Sequence, residues 1–376
     1  MSQGKVTVGR DDLQLVLRQV ATGAARTGKG FAPILTNVLI TFESETLRLM
    51  ATDTDSAIDG VVPATGHANG GITVTAALFD QLVSDFPAGS DITIEWDDDT
   101  RIVMRCGRSR FTLHALPAAD FPSDVVKVDG GATFSMSAAL LRRTLGMVSF
   151  AMLTGKERMY LRGALFERRD GVLRLVACDG ARLAMVTMGS VPTPEFDAVL
   201  VPVEMVNDIV RMIDAKTAAD AILHITGAAI AVTVGSVTKR SKLVDARYPD
   251  YIRTIPGTNS HVALIEAVAL RQSVDRVNLI NRAQSNGRGV KLSFEGGEMK
   301  LSAVNADVGD GEDRLDVEQC DPFSLDIGFN GEFLKDMLGA IDADVLRIKM
   351  AGPMDPAVFE IVGRNDALFL LMPLRV

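Results

Sequence analysis

Leu47-Arg48-Leu49-Met50-Ala51-Thr52-Asp53, Leu173-Arg174-Leu175-Val176-Ala177-Cys178-Asp179 and Met299-Lys300-Leu301-Ser302-Ala303-Val304-Asn305 read alike. Their last residues stand at equal intervals, since 179 − 53 and 305 − 179 are both 126. A repeat of this period means one domain used three times. Catalytic sites are seldom triplicated, so a tripled scaffold points to a ring, a groove or an assembly surface.

Working outward, each copy shows the same order of elements. An amphipathic helix opens it, over 11–20, 137–148 and 265–280, with apolar positions at helical spacing and Asp11 and Ser137 near the N-caps. A hairpin follows: strands 37–42 and 46–50, 163–166 and 173–176, 289–294 and 299–302. Glu43-Ser44-Glu45, Arg169-Asp170-Gly171 and Glu295-Gly296-Gly297 supply the turns. A second helix is expected over 76–86, 202–215 and 331–341. Two further strands follow it: 91–96 and 102–106, 221–226 and 229–234, 345–350 and 357–362. The pattern predicts an α+β fold, three repeated domains with two helices each on antiparallel sheets. Pro and turn residues cluster at Phe121-Pro122-Ser123 and over 251–256, which sets the expected domains at 1–124, 125–254 and 255–376.

The 376 residues are 47% hydrophobic and only 5% aromatic, so the cores must be built from aliphatic side chains and Met. A net charge of −9 argues against coating nucleic acid by bulk attraction, though a local basic lining remains compatible with it. Cys106, Cys178 and Cys320 are odd in number and widely spaced, which fits a reducing compartment. No apolar leader stands in Met1-Ser2-Gln3-Gly4-Lys5, and the apolar tract 367–374 is too short to span a bilayer. The expectation is a soluble cytoplasmic protein.

Enzyme signals are weak. His67, His114, His224 and His261 lack metal spacing, and neither a phosphate-binding loop nor a dinucleotide fingerprint occurs, so no cofactor is expected. Asp97-Asp98-Asp99 reads as a solvated turn, and Asp53-Thr54-Asp55 as a strand-end loop. Cys178, without a nearby His, reads as a small buried hydrophobe. The competing enzyme reading is metal-assisted phosphoryl transfer at Asp53 and Asp179. It meets an Asn at the third equivalent position, Asn305.

Five motifs in order carry a resemblance. They are Phe31-Ala32-Pro33-Ile34-Leu35-Thr36-Asn37, Tyr160-Leu161-Arg162-Gly163, Ala177-Cys178-Asp179-Gly180-Ala181-Arg182-Leu183-Ala184, Asp245-Ala246-Arg247-Tyr248-Pro249-Asp250-Tyr251 and Leu371-Met372-Pro373-Leu374-Arg375-Val376. In these the chain resembles the bacterial replicative sliding clamps, the β subunits of DNA polymerase III, and the motifs span all three domains. The chain departs from the family's usual pattern at Ala181, where a His is usual, at Lys29, commonly Arg, and at Met159, an aromatic in one branch.

The resemblance implies a head-to-tail homodimeric ring, half of it formed by each chain. Such a ring encircles duplex DNA without reading sequence and acts as a processivity factor, not as an enzyme. It implies partners: the polymerase α subunit, the clamp loader, other polymerases and repair proteins, and no membrane. The partner-peptide cleft would use Leu161, Cys178, Gly180, Arg182, Leu183, Pro249, Arg253, Thr254, Leu370, Met372, Pro373, Leu374, Arg375 and Val376. The DNA-facing set would be Arg10, Lys29, Arg142, Arg143, Tyr160, Arg211, Arg271, Arg276 and Arg282, with Arg18, Lys216 and Lys335 also on lining helices. Helix 76–86 carries no Lys or Arg, so a lining of this kind is not uniformly basic.

Overall fold

A computed structural model describes residues 2–25, 32–97, 99–155, 157–214, 217–282, 289–319 and 321–376. Six α-helices occur among them: α1 (Arg10–Val20), α2 (Ala76–Asp85), α3 (Ala138–Ser149), α4 (Val203–Met212), α5 (Ala267–Arg282) and α6 (Gly331–Ala340). They fall where the periodicity predicts, and the fold is α+β with antiparallel ladders. In α1 the spacing buries Leu13, Val16, Leu17 and Val20 on one stripe. Each full burial of this kind contributes roughly 1.5–3 kcal/mol. Asp11 and Asp12 stand in its first turn and Arg18 in its last, matching the helix dipole. The N-cap itself is Gly9, not Asp11. Asp11 instead turns its carboxylate to the backbone N–H of Gly89, at 2.9 Å.

The residues gather into two compact units: 1–139 with 211–243, and 140–210 with 244–376. The first holds a twelve-stranded sheet among the described residues. Its long strand Ser56–Asn69 serves three neighbours. One half pairs with Thr46–Thr52 and with Val237–Lys242, and the other half pairs with Gln3–Gly9. Because Gln3–Gly9 also pairs with Asp91–Trp96, this part of the sheet curls back on itself around α1, α2 and one aliphatic core. Among the described residues the second unit holds a nine-stranded and a four-stranded sheet. In the nine-stranded one, Arg182–Met188 pairs with Ala367–Leu371, with Leu183 opposite Leu370. Both junctions run across the expected domain boundaries, a continuity that no local sequence pattern announces.

The three hairpin turns are two-residue turns with positive φ. Ser44 and Glu45 lie at 50° and 60°, Asp170 and Gly171 at 53° and 83°, Gly296 and Gly297 at 60° and 83°. That conformation matches the right-handed twist of the flanking strands, and glycine adopts it without strain.

Beyond the hairpins, the equivalent residues Asp53, Asp179 and Asn305 share one local task. The Asp53 carboxylate accepts the N–H of Asp55 and Ser56, at 3.1 and 2.7 Å. Asp179 Oδ1 accepts those of Ala181 and Arg182, at 2.9 and 3.0 Å, and Asn305 Oδ1 accepts that of Asp307, at 3.1 Å. One side-chain oxygen closing a turn serves equally well on Asp or Asn, which accounts for the third copy. Among the described residues no group of three His, Cys, Asp or Glu is placed to hold a metal ion. No described helix is long and apolar enough to cross a membrane.

Candidate functional site

The second unit brings most of the expected cleft residues to one place. Under it lies an apolar cluster of Leu165, Val176, Leu183, Tyr251, Val358 and Leu370, with Cys178, Tyr248, Ile252 and Ile255 packed against it. Leu161 is buried at the end of a 3-10 turn, Met159–Leu161, while Tyr160 on the same turn is exposed. Pro249, Arg253 and Thr254 are exposed beside Tyr251, and Arg253 pairs with Asp250 at 2.9 Å.

Burial pushes the Cys178 thiol up from its usual range, so it stays protonated, and its sulfur accepts the Gly180 N–H at 3.4 Å. Burial also raises the phenol of Tyr248, and that of Tyr251, whose hydroxyl donates to Glu167 and accepts from Arg174 at 3.2 Å. The cluster is thus mostly apolar, with the Arg174–Glu167 pair at the Tyr251 hydroxyl.

The strand Ala367–Leu371 ends at the rim. Met372 N–H still reaches the Ala181 carbonyl, at 2.8 Å, but Pro373 has no N–H to give. Leu374 N–H turns instead to Gly328 on the four-stranded sheet, at 2.8 Å. Met372 is 42% exposed and Leu374 40%, two apolar side chains just beyond the strand that supplies Leu370 to the apolar cluster.

Arg182 does something its sequence position did not reveal. Its Nε donates to Asp179 at 2.8 Å and its Nη1 to Asp336 of α6, also at 2.8 Å. The guanidinium lies 4.3 Å from the Phe333 ring centre and 5.6 Å from that of Phe150. With its side chain only 11% exposed, Arg182 fastens α6 to the cleft strand. Phe333 and Asp336 were not among the expected site residues. Their signal, an acid and an aromatic three apart on α6, was indistinguishable from an ordinary helix face.

The expected DNA-facing cations divide. Arg143, Arg271 and Arg276 are exposed on α3 and α5, Arg211 is exposed at the end of α4, and Arg142 is half-buried. Arg276 is paired with Asp313 and Lys335 with Asp275. Beside Arg143, the Arg364 guanidinium grips Asp366 with bonds of 2.9 and 2.8 Å and holds that carboxyl below its usual range. Arg10 is committed elsewhere. Its Nε and Nη2 donate to the carbonyls of Val83 and Ser84, at 3.1 and 2.6 Å, giving the last turn of α2 the cation its own sequence lacks. Lys29, Lys216 and the side chain of Arg282 lie outside the described residues.

Repeated α+β modules, an apolar cluster near the exposed Met372 and Leu374, and exposed arginines on α3 and α5 fit a binding scaffold. The profiles of the DNA polymerase III beta subunit match over almost the whole chain: its N-terminal domain at residues 5–125, central domain at 135–250 and C-terminal domain at 252–375. The chain belongs to this family, the bacterial sliding clamps of DNA replication. It is 31% identical to the beta sliding clamp of Proteus mirabilis over 373 residues, covering 99% of this chain and 100% of that one. With the Pseudomonas aeruginosa clamp it shares 32% identity, covering 98% and 99%. Among solved structures, a Bartonella birtlesii sliding clamp superposes with a TM-score of 0.92 at 32% identity, over the full length of both chains.

Proposed function

We propose that two copies of this chain close head to tail into a ring that encircles and slides along duplex DNA. The ring would tether the polymerase α subunit, the clamp loader, other polymerases and repair proteins through the cleft, with no catalysis of its own. On this reading the domains are 1–124, 125–254 and 255–376, the cleft lies between the second and third, and the protein works in the cytoplasm. The observation that carries the tethering is the exposed pair Met372 and Leu374, just beyond the strand whose Leu370 packs in one cluster with Leu183 and Tyr251.

Ring closure is supported by two exposed strand edges of opposite charge. The segment 109–114 pairs on one side only, with Arg101–Cys106, and this hairpin carries Arg105, Arg108 and Arg110 beside the exposed Phe111. Gly309–Asp316 is the outermost strand of the four-stranded sheet and carries Asp310, Glu312, Asp313 and Asp316. Joining such edges between two copies satisfies both rows of backbone groups and pairs the charges. Arg143, Arg211 and Arg271, with Tyr160, are the residues offered to the phosphates. Such contacts position DNA without sequence readout.

Retention on DNA tests the reading. Loaded onto a nicked circle, the protein should persist through gel filtration and be released when the circle is linearised. Equal retention on circular and linear DNA would refute topological linkage. Separately, M372A should weaken a polymerase-derived peptide by roughly 2 kcal/mol if Met372 is a hot spot. An unchanged affinity would remove the cleft from the site.

A further inference from the structure

Residues 372–376 are held at three points, and the third is a patch without side chains. Two anchors are the hydrogen bonds from Met372 N–H to Ala181 and from Leu374 N–H to Gly328. The third is Val376, which lies over Gly289 and Gly328. These glycines sit on paired strands, Gly289–Glu295 and Leu325–Asn330. Gly289 faces Asn330 and Lys291 faces Gly328, so the two are diagonal neighbours on one face of the sheet. A Cβ on Gly289 would stand 2.2 Å from Val376 Cγ1. One on Gly328 would stand 2.4 Å from both the Leu374 carbonyl oxygen and Val376 Cγ2. Neither glycine has a positive φ, so the backbone would accept alanine at both positions. What calls for glycine here is the seated segment itself.

We infer that Gly289 and Gly328 form a positioning element for the partner cleft. They seat Val376 and thereby hold the Met372 and Leu374 side chains in their binding arrangement before a peptide arrives. The inference rests on the cleft reading given above and adds to it how the segment 372–376 is seated. An exposed apolar segment that is loose in the free protein must be ordered on binding, at a cost per residue in backbone and side-chain freedom. Two hydrogen bonds flanking Pro373, with Val376 pinned beyond them, leave little freedom to lose.

The test uses the tightest-binding member of a fluorescein-labelled peptide set tiled across the cognate polymerase α subunit. Affinity is read by anisotropy for the full chain, G328A, V376G, a variant lacking residues 374–376, and G328A combined with that deletion. G328A, V376G and the deletion should each weaken binding, G328A by about tenfold, equivalent to ~1.4 kcal/mol. The combined variant should bind no worse than the deletion alone, because the added methyl then meets nothing. With 13C-methyl methionine, the Met372 resonance, assigned through M372A, should move in G328A toward the position of a freely rotating Met.

Wild-type affinity in both G328A and V376G overturns the inference, and so does a combined effect equal to the product of the single ones. V376G leaves the sheet untouched and decides the matter if G328A does not fold. M372A separates the two levels: if it weakens binding while G328A and V376G do not, only the positioning role fails. If M372A is also silent, the cleft reading fails with it.

Discussion

Arg182 Nη1 donates to Asp336 Oδ2 at 2.8 Å, joining residues 154 positions apart in the chain. The same guanidinium holds Asp179 at 2.8 Å, so one side chain shapes the turn at the cleft and docks α6. The two carboxylates differ in setting: Asp179 is 10% exposed and Asp336 48%. Removing Arg182 would take the charged partner from the half-buried Asp179, leaving it two backbone N–H donors, whereas neutralising Asp336 would leave Arg182 partnered. R182M should therefore lower the unfolding free energy by roughly 3 kcal/mol and D336N by about 1 or less. Urea titration of both variants checks the order, and equal losses would contradict it.

The turn at Ser44-Glu45 places two side chains at φ of 50° and 60°, where the equivalent third turn has two glycines. Replacing Ser44-Glu45 by Asn-Gly should stabilise the protein by about 1 kcal/mol, and replacing Gly296-Gly297 by Ala-Ala should destabilise it by at least as much. Calorimetric midpoints that move in the same direction for both would show that the turn conformation is not the controlling strain.

Asp53, Asp179 and Asn305 use one oxygen each to close a turn. D53N should leave stability within about 0.5 kcal/mol of the parent, while D53A should cost about 1 kcal/mol. A metal-binding carboxylate behaves differently: D53N would then abolish function while stability held. Loading onto nicked circular DNA by the cognate loader, compared between D53N and the parent, makes the distinction.

Cys178, Tyr248 and Tyr251 all hold their protons more tightly in the folded chain, chiefly through burial. A raised folded pKa adds stability that is complete below the unfolded pKa and is lost above it. Those unfolded values are about 8.5 for Cys and about 10 for Tyr. The thermal midpoint should be flat from pH 7 to 8 and fall toward pH 10.5, with the onset shifted upward in C178A. A midpoint that rises over that interval would contradict the assignment.

Ring closure through edges of opposite charge predicts twice the mass of one chain in light scattering at micromolar concentration. R110E would set an acid against the acidic strand Gly309–Asp316 and should weaken the dimer at least tenfold. A parent that is monomeric at that concentration, or an R110E variant as dimeric as the parent, would count against the proposed contact.

Much of this was legible in the sequence because it is local. The helix periodicities located α1 to α6 to within a few residues, since an apolar stripe needs only 3.6-residue spacing. The two-residue turns were legible at Asp170-Gly171 and Gly296-Gly297, and the 126-residue period placed the third at Ser44-Glu45. Strands such as Gln3–Gly9 and Arg182–Met188 were not singled out as strands, whereas a final strand through Leu368 and Leu370 was legible. The alternation of the first two is short, and their partners lie far along the chain. Arg10 read as a lining cation, yet it caps α2, because its helix face says nothing about which carbonyls lie opposite.

The sequence by itself determined a thrice-used α+β module, its hairpins, its helices and the apolar character of residues 368–374. Those follow from period, turn chemistry and composition, which act over a few residues. Only the tertiary structure decided that Leu183 meets Leu370, that Arg182 spends its charge on Asp179 and Asp336, and that Gly289 and Gly328 clear a seat for Val376. Apart from the Arg182–Asp179 pair, each is a contact between segments tens to hundreds of residues apart. Strand register and side-chain packing select such contacts from many that the same local patterns would allow.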